Sequence, residues 1–303
     1  MISVENLTKA FGSFKALDNL NLHVKKGSVY GLIGPNGAGK TTVIKLINGI
    51  FRPDTGNISI NQQPVWENEE LKEKLIYVSD DLYYFSMATI KDLAQLYAGI
   101  YPNWNQARFE QLKSTFPMEE NRRLIRLSKG MQKQVAFWLG LCTMPEVMIL
   151  DEPVDGLDPV MRRRVWNLML QDVAEREMTV LVSSHNLREL EDVCDHVGIL
   201  HQGRMLLEKN LDEAKSNIYK IQVAFAKEQE ESSIQAIQEK FVILHQENFG
   251  SVWRLIVKGE QQQVMSFING MEPMILDWLP LTLEEVFIYE LGGMGYDIAN
   301  IIL

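Results

Sequence analysis

The stretch Gly34-Pro35-Asn36-Gly37-Ala38-Gly39-Lys40-Thr41 constrains this chain more than any other. It satisfies the pattern G-x-x-x-x-G-K-[ST] at every fixed position, and Thr42 follows it. Ahead of it the apolar run Val29 to Ile33 reads as a buried strand; behind it Val43, Ile44, Leu46, Ile47 and Ile50 recur at helical spacing. A strand, a glycine-rich turn and a helix in that order leave few folds open. The glycines let backbone N–H groups turn toward an anion, and the helix points the positive end of its dipole at the same place. Lys40 adds a mobile positive charge for terminal phosphates, and Thr41 a hydroxyl oxygen of the hard type that Mg²⁺ accepts. The loop is therefore expected to bind a nucleoside triphosphate.

At 303 residues the chain calls for one large domain and a smaller one, and 46% apolar residues suffice for a substantial core. The formal charge of −10 argues against a nucleic-acid partner held on a broad basic surface. Basic clusters such as Arg122–Arg123 and Arg162–Arg163–Arg164 read as solvated helix faces. The two cysteines, Cys142 and Cys194, both fall in apolar, helix-like surroundings and read as reduced core residues of a cytoplasmic protein. Met1 to Asn6 lacks the basic and apolar blocks of a signal peptide, and no apolar run reaches the roughly 18 residues that a membrane span needs. Work at a membrane would require another chain to do the spanning.

Taken in order, Ile2, Val4, Leu7 and then Leu20, Leu22 and Val24 alternate as in a small antiparallel sheet. Phe11, before Gly12, ends a strand near the phosphate loop; alone it reads as a core residue, in company with the later motifs as an aromatic that stacks on a purine. Asn57 to Ile60 and Leu75 to Val78 read as strands, the latter ending in Ser79-Asp80-Asp81. Helical periodicity then dominates from Thr89 to Ile100 and from Gln106 to Phe116. Ser128 is an N-cap for a helix through Val135, Ala136, Trp138 and Leu139. Val147 to Leu150 is a buried strand ending in Asp151-Glu152. Downstream of a phosphate loop, such a pair suits a magnesium shell (Asp151) and the orientation or deprotonation of an attacking water (Glu152). Asp158-Pro159 starts a helix to about Glu175, and Thr179 to Val182 is a further strand, followed by Ser183-Ser184-His185. His185, at a strand end, is placed to contact a γ-phosphate.

This order of motifs resembles one family, the ATP-binding subunits of ATP-binding cassette (ABC) transporters. The resemblance covers about residues 1–215. It puts Phe11 in the place of the adenine-stacking aromatic, Gly34 to Thr41 in that of the Walker A loop, and Leu127-Ser128-Lys129-Gly130-Met131 in that of the signature usually written LSGGQ. Val147 to Glu152 then matches Walker B with its catalytic glutamate, Asp155-Gly156-Leu157-Asp158 the D-loop and His185 the switch histidine. Two departures stand out. Lys129 and Met131 replace Gly and Gln in the signature, while Ser128 and Gly130 are kept. Asp80 stands nearest the place where the family offers a glutamine to Mg²⁺.

The resemblance implies an α/β P-loop NTPase domain of the ABC type, with a mixed sheet core, a small antiparallel β-subdomain and a helical subdomain. It implies ATP hydrolysis with Mg²⁺ as cofactor. Gly34, Pro35, Asn36, Gly37, Ala38, Gly39, Lys40, Thr41 and Thr42 would hold the nucleotide, with Phe11 and a partner subunit's signature of the same sequence, Ser128 and Gly130. Lys40, Glu152 and His185 would carry the catalysis, and Thr41, Asp151 and Asp80 the metal. The pattern through Ser183-Ser184-His185-Asn186-Leu187-Arg188-Glu189-Leu190 looks most like bacterial exporter-type ATPases. These act as dimers, expected here to be homodimers, on separately encoded membrane permeases at the inner face of the cell membrane. Tyr83, Tyr84 and Phe85 would offer the permease an apolar contact or belong to the local core. An importer ATPase with a ligand-sensing tail, and a regulatory ABC ATPase without a transport role, are the alternatives. Residues 216–303 form a second domain whose order βαββαβ fits a small α+β, ferredoxin-like unit. Leu281 to Phe287 opens a last helix.

Overall fold

The computed structural model describes residues 1–211, 217–282 and 284–288. The chain packs as two units, Met1–Glu208 and the described residues from Lys209 onward. The domain division expected at 215/216 lies outside the described residues.

In the first unit, β1 (Ile2–Phe11) pairs antiparallel with β2 (Phe14–Val24) and with β4 (Thr55–Ile60), and β5 (Gln63–Pro64) closes a four-stranded sheet. The register Ile2↔Val24, Val4↔Leu22 and Leu7↔Leu20 puts the expected apolar alternation on one face, and those six side chains are all buried. The second sheet has the order β10-β9-β3-β8-β7-β6. Its strands are β3 (Val29–Ile33), β6 (Leu75–Val78), β7 (Val147–Asp151), β8 (Thr179–Ser184), β9 (His196–His201) and β10 (Arg204–Asn210). From β9 through β6 every neighbouring pair is parallel. β3, β7 and β8 are buried at every position, which is why they read as continuous apolar runs rather than as alternation.

Helix α1 (Lys40–Ile47) leaves the loop after β3, and α2 (Glu69–Lys72) leads into β6. The helical insert holds α3 (Ile90–Ile100), started by a Thr89–Asp92 capping box, then α4 (Gln106–Leu112) and α5 (Lys129–Cys142). Its centre is Trp138, stacked on Phe109 at 4.6 Å and 9°, with the indole N–H donating to the Phe109 carbonyl. α4 ends at Leu112 rather than at the expected Phe116, because Phe116 precedes Pro117 and turns inward to stack on Trp138. Asp158 caps α6 (Pro159–Arg176) by accepting the N–H groups of Val160 and Met161. Cys142 lies in α5, whereas Cys194 lies between a turn and β9 and not in a helix; neither is disulfide-bonded.

In the second unit, β11 (Ile218–Ala224), α7 (Glu230–Lys240), β12 (Val242–Phe249), β13 (Val252–Lys258), α8 (Gln261–Asn269) and β14 (Ile275–Leu279) follow one another. The strand order β12-β13-β11-β14, with every neighbouring pair antiparallel, is the ferredoxin-like arrangement. Ile221, Val223, Leu255 and Val257 bury against Ile234, Ile237, Val264 and Ile268 of the two helices. The β12–β13 turn is Gly250-Ser251 alone, tighter than the four residues expected from Asn248. Gly250 takes the left-handed conformation, so Phe249 still pairs with Val252. Glu284 to Ile288 are helical, opened by Thr282 and Glu285 exchanging side-chain and backbone hydrogen bonds.

Candidate functional site

The sheet order sets β8 between β3 and β7, so the ends of three strands distant in sequence meet. Asp151 is in register with Ser183, and Ile33 with Ser184. The phosphate loop, the Asp151-Glu152 pair and His185 therefore all emerge at one edge, where parallel strands conventionally deliver ligand-binding loops.

Gly34 donates its N–H to the Ser184 carbonyl; a Cβ on Gly34 would stand 2.3 Å from the Leu200 carbonyl oxygen, so no larger residue fits. Gly37 and Gly39 take positive φ values of 82° and 111°, which swing the loop into the start of α1. Lys40, only 6% exposed, donates to the Gly34 carbonyl at 2.6 Å and stands 3.2 Å from Glu152 Oε1. Thr41 is exposed and Thr42 half-buried on the first turn of that helix.

Asp151 is buried and accepts the Ser183 hydroxyl at 2.6 Å. The same Ser183 oxygen accepts the Glu152 N–H at 3.1 Å, so one hydroxyl ties both carboxylate residues to β8. Glu152 is in the left-handed region at φ 45°, a conformation that costs a non-glycine residue energy. Its Oε2 faces His185 Nδ1 at 2.9 Å and also accepts the His185 backbone N–H. Asp155 joins Glu152 and His185 with ligand atoms within 4.8 Å of one another. At the rim, burial pushes the Glu189 carboxyl above its ordinary range, Arg162 pulling against it while Asp155 and Glu152 push with it.

The remaining expected residues stand apart from this group. Phe11 is 46% exposed at the β1–β2 turn, edge-on to Phe51. Ser128 caps α5 by accepting the Met131 N–H. Gly130 approaches the D-loop: a Cβ there would stand 2.3 Å from the Gly156 carbonyl oxygen. Asp80 lies beyond β6, its Oδ1 3.0 Å from Lys133 Nζ. Two contributors escaped the sequence reading, Ser183 and Lys133. Ser183 left no signal beyond its strand-end position. Lys133 left one, a lysine among the apolar positions of α5.

A family model described as ABC transporter matches residues 17–155. The ABC transporter ATP-binding protein YtrB of Bacillus subtilis (strain 168) is 31% identical over 97% of this chain and 99% of its own length. The bacitracin transport ATP-binding protein BcrA of Bacillus licheniformis is 29% identical over 97% and 98%. Among solved structures, an ATP-binding subunit of an ABC transporter superposes with a TM-score of 0.66 at 29% identity, over 71% of this chain and 92% of that one. With its phosphate loop, strand-end carboxylates and histidine assembled on this sheet, the chain belongs to the ABC transporter family as an ATP-binding, ATP-hydrolysing subunit.

Proposed function

We propose that this subunit drives export through separately encoded permease chains, working as a homodimer in which each ATP lies between the phosphate loop of one copy and Ser128 and Gly130 of the other. The observation that carries the catalytic part is the meeting of Lys40, Glu152 and His185 at one sheet edge. The likeness of nearly the whole chain, second unit included, to a bacitracin transport subunit supports the exporter reading.

Lys40 exchanges the Gly34 carbonyl and the Glu152 carboxylate for phosphate oxygens. His185 keeps Glu152 Oε2 oriented while Oε1 is left to accept a proton from the attacking water. The exposed Thr41 hydroxyl, the Asp151 carboxylate held by Ser183 and the half-exposed Asp80 carboxylate, paired here with Lys133, are all hard oxygen donors of the kind Mg²⁺ accepts, and would hold it. Mg²⁺ held by these residues would neutralise phosphate charge. Phe11, about half exposed, is the stacking surface for adenine.

Among the described residues no helix is long and apolar enough to cross a membrane, so attachment falls to the permease. Tyr83 and Phe85 are 89% and 68% exposed just beyond Asp80, while Tyr84 turns inward and donates to the Gln132 carbonyl. The two exposed rings are the surface on which a permease segment would dock. Inside-out vesicles holding this chain and the membrane protein encoded beside it test the direction. ATP-driven uptake of labelled bacitracin or a related peptide antibiotic supports export; uptake confined to right-side-out vesicles loaded with ATP establishes the importer.

A further inference from the structure

Lys133 is 4% exposed on α5. A buried ammonium needs a counter-charge and acceptors, because burial strips it of water. Lys133 has one of each: Asp80 Oδ1 at 3.0 Å and the Glu152 carbonyl oxygen at 2.7 Å. These partners come from different parts of the site, Asp80 from the loop after β6 and Glu152 from the end of β7.

The second contact matters because of the conformation of Glu152. Its left-handed backbone is held at both peptide groups by side chains from other elements: the N–H by Ser183 and the C=O by Lys133. With those groups pinned, the carboxylate reaches Lys40 on one side and His185 on the other.

The geometry points to Lys133 as a positioning residue for Glu152, itself held in place by Asp80. The Asp80 carboxylate fixes the ammonium, the ammonium fixes the Glu152 carbonyl, and that peptide aims the carboxylate. This rests on Glu152 being the group that activates water. It gives the loop carrying Tyr83 and Phe85 a path to the catalytic carboxylate through Lys133.

The test uses the full chain with Asp80→Asn combined with either Lys133→Gln or Lys133→Met. Both pairs abolish the ion pair, but only glutamine keeps an N–H donor for the Glu152 carbonyl, while methionine keeps the apolar stem. Equilibrium ATP titration, steady-state ATPase kinetics at saturating Mg²⁺ and thermal melts are measured on each. The two are expected to share ATP Kd, KM and melting temperature, with kcat of the methionine pair about tenfold or more below that of the glutamine pair. Equal kcat values, or a difference confined to KM, would overturn the proposal. If the methionine pair does not fold, Asp80→Asn alone replaces it. Asp80→Asn with Lys133→Gln should then turn over faster than Asp80→Asn, in which the ammonium lacks its counter-charge; an equal or lower kcat counts against the proposal.

Repeating the comparison in a Glu152→Gln background by single-turnover kinetics locates the effect. The glutamine-to-methionine ratio should fall to about one, because the carboxylate being aimed is gone. A ratio still near ten overturns the proposal and leaves the role of Glu152 intact. Native-rate hydrolysis by Glu152→Gln alone instead removes the catalytic reading, and the proposal with it.

Discussion

Lys40 Nζ stands 3.2 Å from Glu152 Oε1, so the cation proposed to bind the phosphates and the carboxylate proposed to activate water are partners across two strand ends. The ammonium is nearly buried and has the Gly34 carbonyl as its closest acceptor. On the proposed reading, a phosphate that took this ammonium would release the carboxylate in the same movement.

Lys40→Ala should weaken ATP binding roughly tenfold to hundredfold, the worth of a charge-assisted hydrogen bond. Equilibrium titration with a fluorescent ATP analogue checks it. A near-native Kd would remove Lys40 from the phosphate site.

Glu152→Gln is nearly isosteric but cannot take the water's proton, so kcat should fall by about 10² to 10⁴. ATP affinity should hold or rise, since Lys40 loses the ionic partner with which phosphate competes. Size-exclusion chromatography with ATP should show a trapped dimer. A native hydrolysis rate would show that the essential base lies elsewhere.

Asp80→Gln leaves Lys133 without its counter-charge, at a cost of about 1 kcal/mol once the half-exposed position of Asp80 is allowed for. A lower melting temperature should report this. The amide is also the weaker hard ligand, so ATPase activity at fixed ATP should depend more steeply on Mg²⁺ in the native protein than in the variant. Superimposable Mg²⁺ titrations would take Asp80 out of the metal shell and leave it as the partner of Lys133.

In the second unit, burial opposes ionisation of Glu285, but the Lys220 ammonium at 2.6 Å and the Thr282 N–H outweigh it and hold the carboxyl below its ordinary value of 4.5. A lowered folded-state pKa stabilises fully above the unfolded value and is lost as pH falls through the folded one. Lys220→Met should therefore lower the melting temperature by a few degrees at pH 7, and the gap should close below about pH 4. Thermal melts across that range check it; a gap independent of pH would show that Lys220 acts through packing instead.

The pattern Gly34 to Thr41, the apolar runs ending in Asp151-Glu152 and in Ser183-Ser184-His185, and the caps Asp158 and Ser128 were all legible in the sequence. Each is a local matter: strand burial, helix starts and turns follow from a few consecutive side chains and their backbone preferences. The alternation in β11, β12 and β13 likewise announced the second unit, although the turn at Gly250 and the end of α4 differed by a few residues. At Phe116 the apolar periodicity ran past the true helix end, because Pro117 and the stacking of Phe116 on Trp138 stop the helix sooner.

Tertiary structure alone decided the wiring. Ser183 binds both Asp151 and Glu152 only because β8 runs parallel beside β7 in that register. Lys133 reaches Asp80 and the Glu152 carbonyl only because α5 packs where β6 and β7 end. A charged residue in an apolar helix pattern shows that a counter-charge must exist, since burial without one is too costly; which carboxylate supplies it is a fact of three-dimensional proximity that linear spacing does not carry.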